Sequence, residues 1–242
     1  MREILDLIDA IVVGAVIAVV LTATVTSMRI PIAQRLAFAA VAGAWVGFAA
    51  AVAAFGGLEN DPRIIGALVA FPLVTTAAVA ALSPGARRTL MELPMPLLIA
   101  LNAARVIGVL FLALAALGRL AGPFPFSAGL GDIVTGAFAL RIARLAARAQ
   151  PEDRSAILIW NVFGTLDLVA ALALGVLSAD GSPIQLIHAG VGSAAITTLP
   201  WSMIPTVLVP FYLIVHAVVF ARLSAMRHVR EERRAHAPLV GA

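Results

Sequence analysis

The chain has 242 residues, 62% of them hydrophobic and 12% charged, with a mean hydropathy of +1.02, where an ordinary soluble domain is about 45–50% apolar and about 25% charged. That balance excludes a cytosolic enzyme, a nucleic-acid binder and a secreted disulfide scaffold, and predicts an all-α polytopic membrane protein. With no Cys there is no disulfide, thiolate metal site or thiol nucleophile, and with no Lys there is no Schiff-base lysine. The pI near 11.1 comes from Arg flanking apolar runs, not from a polyanion-binding surface.

At about 20 apolar residues per crossing, seven helices are predicted, over about 4–27, 36–57, 64–82, 93–118, 126–148, 156–178 and 202–224. They form one membrane domain over 1–226, followed by a short basic tail, 227–242. Breaker clusters such as Glu59-Asn60-Asp61-Pro62 and Ser83-Pro84-Gly85 separate the runs. The first run follows Met1-Arg2-Glu3-Ile4-Leu5-Asp6, which lacks the positive n-region of a signal peptide, so it reads as an uncleaved helix. Thirteen Arg fall in connections one, three and five and in the tail, against Arg2, Arg63 and Arg119 on the other side. This bias predicts an outside N-terminus and a cytoplasmic C-terminus in a bacterial inner membrane, with the tail lying near anionic lipid.

Small residues recur every fourth position in three helices: Gly14, Ala18, Thr22, Thr26; Ala39, Gly43, Gly47, Ala51; and Ser127, Gly131, Thr135, Ala139, Ala143, Ala147. Such stripes let helix backbones approach closely. The reading is intramolecular packing, with a homodimer face on Gly43 and Gly47 as the alternative.

Charges and amides within the spans gather in the last four helices, and the first three read as scaffold. The candidates are Asn102 and Arg105, Asp132, Trp160, Asn161 and Asp167, and His216. Each buried charge costs about 2.5–3.5 kcal/mol on insertion scales, so such residues pair or mark a pathway. At about 1.5 Å per residue from the inner anchors, Arg105 and Asp167 each lie about 20 Å deep, and Asp132, nine residues before Arg141, about 13 Å deep. The prolines of Gly122-Pro123-Phe124-Pro125-Phe126-Ser127 predict non-helical backbone above Asp132, the mark of a transporter-like site, with a snorkelling Arg141 and Asp132 as a helix cap at the outer interface as the alternative.

The economical arrangement forks Arg105 between Asp132 and Asp167. One Arg against two Asp leaves negative charge that can hold a proton or cation, or bind a substrate's ammonium group. His216 is placed to hydrogen-bond Asn161 or a carbonyl, with a proton relay as the alternative. His188, His216, His228 and His236 have no metal-ligand spacing, and no cofactor is predicted. The connection from Ser178 to Pro200 reads as an interfacial or re-entrant lid, and Pro200, Pro205 and Pro210 as starting and kinking the last helix.

Two resemblances are carried by these residues. Gly129-Leu130-Gly131-Asp132-Ile133-Val134 resembles the GxGD motif of the intramembrane aspartyl proteases, the presenilin and signal peptide peptidase family. That likeness implies a catalytic Asp132. The family's second Asp lies on the preceding helix, where this chain has Arg105, and its Pro-Ala-Leu motif is absent at Leu199-Pro200; Asp167 comes in the opposite order. The second likeness joins Asn102-Ala103-Ala104-Arg105, Gly131-Asp132-Ile133, Trp160-Asn161, Asp167-Leu168-Val169 and Leu199-Pro200-Trp201-Ser202-Met203-Ile204-Pro205, closing with His216. In order and spacing they are similar to a widespread group of uncharacterised bacterial inner-membrane proteins, which implies a compact helical bundle and no particular chemistry.

Three functions stay open. The first is a site for a small molecule or cation, binding or transporting it, with coupling to protons as one form of this reading, on Asn102, Arg105, Asp132, Trp160, Asn161, Asp167 and His216. The second is a membrane-embedded hydrolase using Asp132 and Asp167. The third is a structural or accessory subunit whose charges lock helices.

Overall fold

The computed structural model describes residues 2–61, 63–180 and 182–235. Its regular elements are all helical, and among the described residues seven helices are long and apolar enough to cross a membrane. They are α1 (Arg2–Ser27), α2 (Ile32–Ala54), α4 (Arg63–Leu82), a composite span Met95–Ala116, α8 (Phe124–Arg148), α9 (Arg154–Leu177) and the final span Ile204–Met226. Two short helices, α3 (Gly57–Asn60) and α5 (Pro84–Glu92), lie in connections.

Local chemistry sets several boundaries. Asp61 caps α4, accepting the Arg63 backbone N–H at 3.0 Å and its guanidinium at 2.8 Å through both oxygens. Those side-chain hydrogen bonds hold the Asp61 carboxyl below its ordinary value. Ser83-Pro84-Gly85, read from sequence as a breaker, ends α4 at Leu82 and also opens α5: Ser83 Oγ accepts the Ala86 N–H at 3.2 Å and Pro84 takes the first turn.

The prolines before Asp132 also act as helix starters. Pro123 precedes α8 and Pro125 lies in its first turn, where no N–H partner is needed, so α8 is α-helical from Phe124 to Arg148. The stretch at 122–127, predicted to be non-helical, is thus corrected: it is helical from Phe124 onward. Irregular backbone occurs instead in the facing spans. The fourth consists of α6 (Met95–Leu101), a 3₁₀ segment Asn102–Gly108 and α7 (Val109–Ala116). The last opens with a π-helical turn, Ile204–Leu208, and continues as α10 (Val209–Ala235). Pro210 has no N–H for the carbonyl of Thr206 four residues back, and the Trp45 indole of α2 donates to that carbonyl at 3.2 Å.

Helix α8 forms the centre, packed on α6, the 3₁₀ segment, α7 and α9, while α10 packs on α9 and α4. Of the most apolar window in each span, 67% is buried in the last and only 11% in α2, which is therefore peripheral. The three small-residue stripes divide accordingly. On α8, Thr135, Ala139 and Ala143 are buried in the packing. On α1 and α2, Gly14, Ala18, Gly43 and Gly47 face outward, and a Cβ at any of the three glycines would meet nothing within 4 Å. Intramolecular packing therefore accounts for the α8 stripe alone.

Candidate polar site within the bundle

In a 3₁₀ helix, residues three apart eclipse one another. Asn102, Arg105 and Gly108 thus share a face, and all three are buried. The approach to α8 is close enough to require glycine on both sides. A Cβ on Gly108 would lie 2.5 Å from the Asp132 Cβ, and one on Gly129 would lie 2.9 Å from the Gly108 carbonyl oxygen. Gly131 leaves room for Asp167 in the same way, since a Cβ there would stand 1.6 Å from Asp167 Oδ1.

Arg105, 1% exposed, occupies the space so made. Its Nε donates to Asp132 Oδ1 at 2.7 Å and its Nη2 to Asp167 Oδ2 at 2.6 Å. Nη1 reaches the Gly164 carbonyl at 3.3 Å and His216 Nε2 at 3.1 Å. Tyr212 lies beneath, its ring centroid 5.7 Å from the guanidinium carbon. Four hydrogen bonds and an aromatic face therefore hold one guanidinium.

The proton on His216 follows from its neighbours. Asn161 Nδ2 donates to the His216 carbonyl at 3.1 Å, which turns Asn161 Oδ1 toward His216 Nδ1, 2.8 Å away. An amide oxygen only accepts, so Nδ1 carries the hydrogen and Nε2 accepts from Arg105. His216 is thus a neutral ligand of the arginine, and one guanidinium faces two carboxyl groups, which with both ionised sum to one net negative charge. Gly164 allows this contact, because a Cβ there would come within 2.7 Å of His216 Cε1.

Each carboxylate spends one oxygen on Arg105. Among the described residues no donor bonds Asp132 Oδ2 or Asp167 Oδ1. Asp132 also lines a cavity of about 40 Å³ walled mainly by apolar residues, among them Phe111, Phe124, Leu168, Ile196 and Ile204. Ile196 belongs to a 3₁₀ turn, Ala194–Thr197, in the 178–200 connection, where a lid was predicted.

Of the seven predicted site residues, Arg105, Asp132, Asp167, Asn161 and His216 form this network. Trp160 packs on the His216 ring at 5.4 Å and donates to the Thr135 carbonyl at 3.0 Å. Asn102 stands apart: Nδ2 bonds the Leu98 carbonyl at 3.1 Å, and Oδ1 is buried without a partner. Sequence reasoning placed Gly164 on one helix face with Trp160 and Asp167 but missed Tyr212. Tyr212 had a signal, four residues before His216 and so on the same helical face.

The first three helices also need correcting as plain scaffold. Asp6 accepts from Arg119 Nη1 at 2.5 Å and from the Trp201 indole at 2.6 Å, tying α1 to the ends of two other spans. Asp9, one turn deeper, is fully buried with neither oxygen hydrogen-bonded. The pattern Asp6-Leu7-Ile8-Asp9 placed both acids on one face of the first span. An unpaired buried polar group costs about 1–3 kcal/mol, so Asp9→Leu is expected to raise the thermal midpoint of the purified protein. A lower midpoint would mean that Asp9 has a partner in the membrane.

The family model described as Domain of unknown function (DUF8737) matches residues 62–224, more than half of the chain. The chain belongs to this family. The matched stretch contains Arg105, Asp132, Asp167, Asn161 and His216 and excludes Asp6 and Asp9. No curated protein and no solved structure matches the chain.

Proposed function

We propose that this member of the family is a multi-pass protein of a bacterial cytoplasmic membrane, N-terminus outside and C-terminus cytoplasmic, that binds or transports a small cation on Asp132 and Asp167. The ligand is an inorganic cation or the ammonium group of a small molecule. The likeness to uncharacterised bacterial inner-membrane proteins is part of the proposal, as is self-association through the outward-facing Gly43 and Gly47.

One observation carries the site: a guanidinium shared by two carboxylates leaves one net charge and one unbonded oxygen on each, with Asp132 lining the cavity. A cation arriving at Asp132 would neutralise the cluster without displacing Arg105. The hydrolase alternative needs two carboxylates sharing a proton with the arginine turned away; Arg105 bonded to both weighs against it. The accessory-subunit alternative draws on the same observation, since an arginine so well satisfied also fixes helix register.

Binding to the folded state raises its melting temperature. In detergent-purified protein, at least one of sodium, potassium, ammonium and methylammonium is expected to stabilise wild type in a saturable manner. Asp132→Asn should remain folded and lose that response. If no cation in the panel separates wild type from Asp132→Asn, the cation reading fails.

A further inference from the structure

A second cavity, of about 790 Å³, lies between α4, α5 and α10, apart from the polar site. Leu73, Ala77 and Ala81 form one wall and Ile214, Ala217 and Ala221 the other. The alanines keep the groove open where larger side chains would fill it. From residue 73 to residue 81 it extends about 12 Å along α4 at about 1.5 Å per residue. Helix α5 crosses one end, turning Leu90 and Met91 to the groove and bringing Arg87 and Arg88 to its rim.

Both arginines are exposed, and neither forms an ion pair among the described residues. Arg222, just past the groove on α10, is engaged by the Leu93 carbonyl. The groove therefore offers an apolar channel ending at two guanidiniums that have no ion-pair partner among the described residues. Guanidinium forks match phosphate oxygens, and basic pockets between membrane helices recognise anionic headgroups.

We propose that this groove holds an acyl chain of an anionic phospholipid whose phosphate is gripped by Arg87 and Arg88. The proposal rests on the membrane reading and is independent of Asp132 and Asp167. A choline headgroup is disfavoured because it adds a cation beside two others. A free phosphate would leave the apolar walls empty.

The test uses full-length protein in an uncharged detergent, doped with phosphatidylglycerol or phosphatidylcholine of identical chains, with retained lipid counted by native mass spectrometry. Wild type is expected to retain phosphatidylglycerol at least about fivefold better, as two basic groups at a membrane surface warrant. Arg87→Gln/Arg88→Gln should abolish the preference without changing the melting temperature in phosphatidylcholine. Ala81→Leu and Ala217→Leu, made separately on opposite walls, should each lower retention of both lipids. Equal retention by wild type, a preference that survives the double arginine change, retention unaffected by both leucines, or retention of glycerol phosphate added in place of lipid as strong as that of phosphatidylglycerol would each overturn the proposal.

Discussion

Arg105→Gln is expected to cost about 3–5 kcal/mol, the penalty for removing one partner of a buried ion pair. The charge count explains why this exceeds any change at the acids. With both acids ionised, wild type buries one net negative charge, and losing the guanidinium leaves two carboxyl groups facing each other across the same space with no cation between them. Asp132→Asn or Asp167→Asn instead leaves one arginine against one carboxylate, a neutral cluster. Either asparagine variant should therefore melt near wild type or above it, with Arg105→Gln far below. The triple variant Arg105→Gln/Asp132→Asn/Asp167→Asn should recover most of the loss, because amides can bond one another without desolvating charge. Stability near wild type for an Asp variant marks an acid retained at a cost for function. Losses of several kcal/mol for both Asp variants, recovered on combination with Arg105→Gln, would make the cluster structural glue and favour the accessory-subunit alternative.

The helix count, the acidic partners of Arg105 and the Asn161–His216 contact were legible because few charges interrupt the apolar runs, and burial leaves them few partners. The irregular backbone was harder to read. Pro123 and Pro125 have the same composition signal whether they break a helix or start one; only the length of α8 before Asp132 decides, and that length is set by packing against the fourth span. The 3₁₀ segment Asn102–Gly108 contains no proline and no strong breaker except Gly108, so its tighter winding comes from tertiary contact. Asp9 was overlooked because an acid near the start of a span ordinarily reaches the interface. Here the neighbouring acid Asp6 is bonded to the fully buried Trp201, and Asp9 is itself fully buried. Stripe direction was also beyond sequence, since small residues suit an outward face as well as an inward one.

The same one-carbon change should have opposite signs at different glycines, and that contrast tests what the Gly-Leu-Gly-Asp stretch is for. At Gly131 an added Cβ would overlap Asp167 Oδ1 at 1.6 Å and Cγ at 2.2 Å, so Asp167 must swing away and release Arg105 Nη2. Overpacking costs about 1–3 kcal/mol and a charged hydrogen bond about 1.5–3 kcal/mol, so Gly131→Ala should lose about 3 kcal/mol or more. Within one chain Gly43→Ala and Gly47→Ala meet nothing within 4 Å, and in the monomer each should gain about 0.5–1 kcal/mol from helix propensity, a gain that self-association through this face would offset. Thermal midpoints of the three variants, measured side by side, check the ordering. Adding Asp167→Ala to Gly131→Ala removes the clashing carboxylate and leaves Arg105 paired one-to-one with Asp132, so the double variant should be more stable than Gly131→Ala alone. Such a rescue means that Gly131 exists to seat Asp167 against the arginine, a packing role that explains the motif without proteolysis. If Gly131→Ala is tolerated, or Asp167→Ala makes it worse, the close approach of α8 to Asp167 is wrong, and the shared arginine with it.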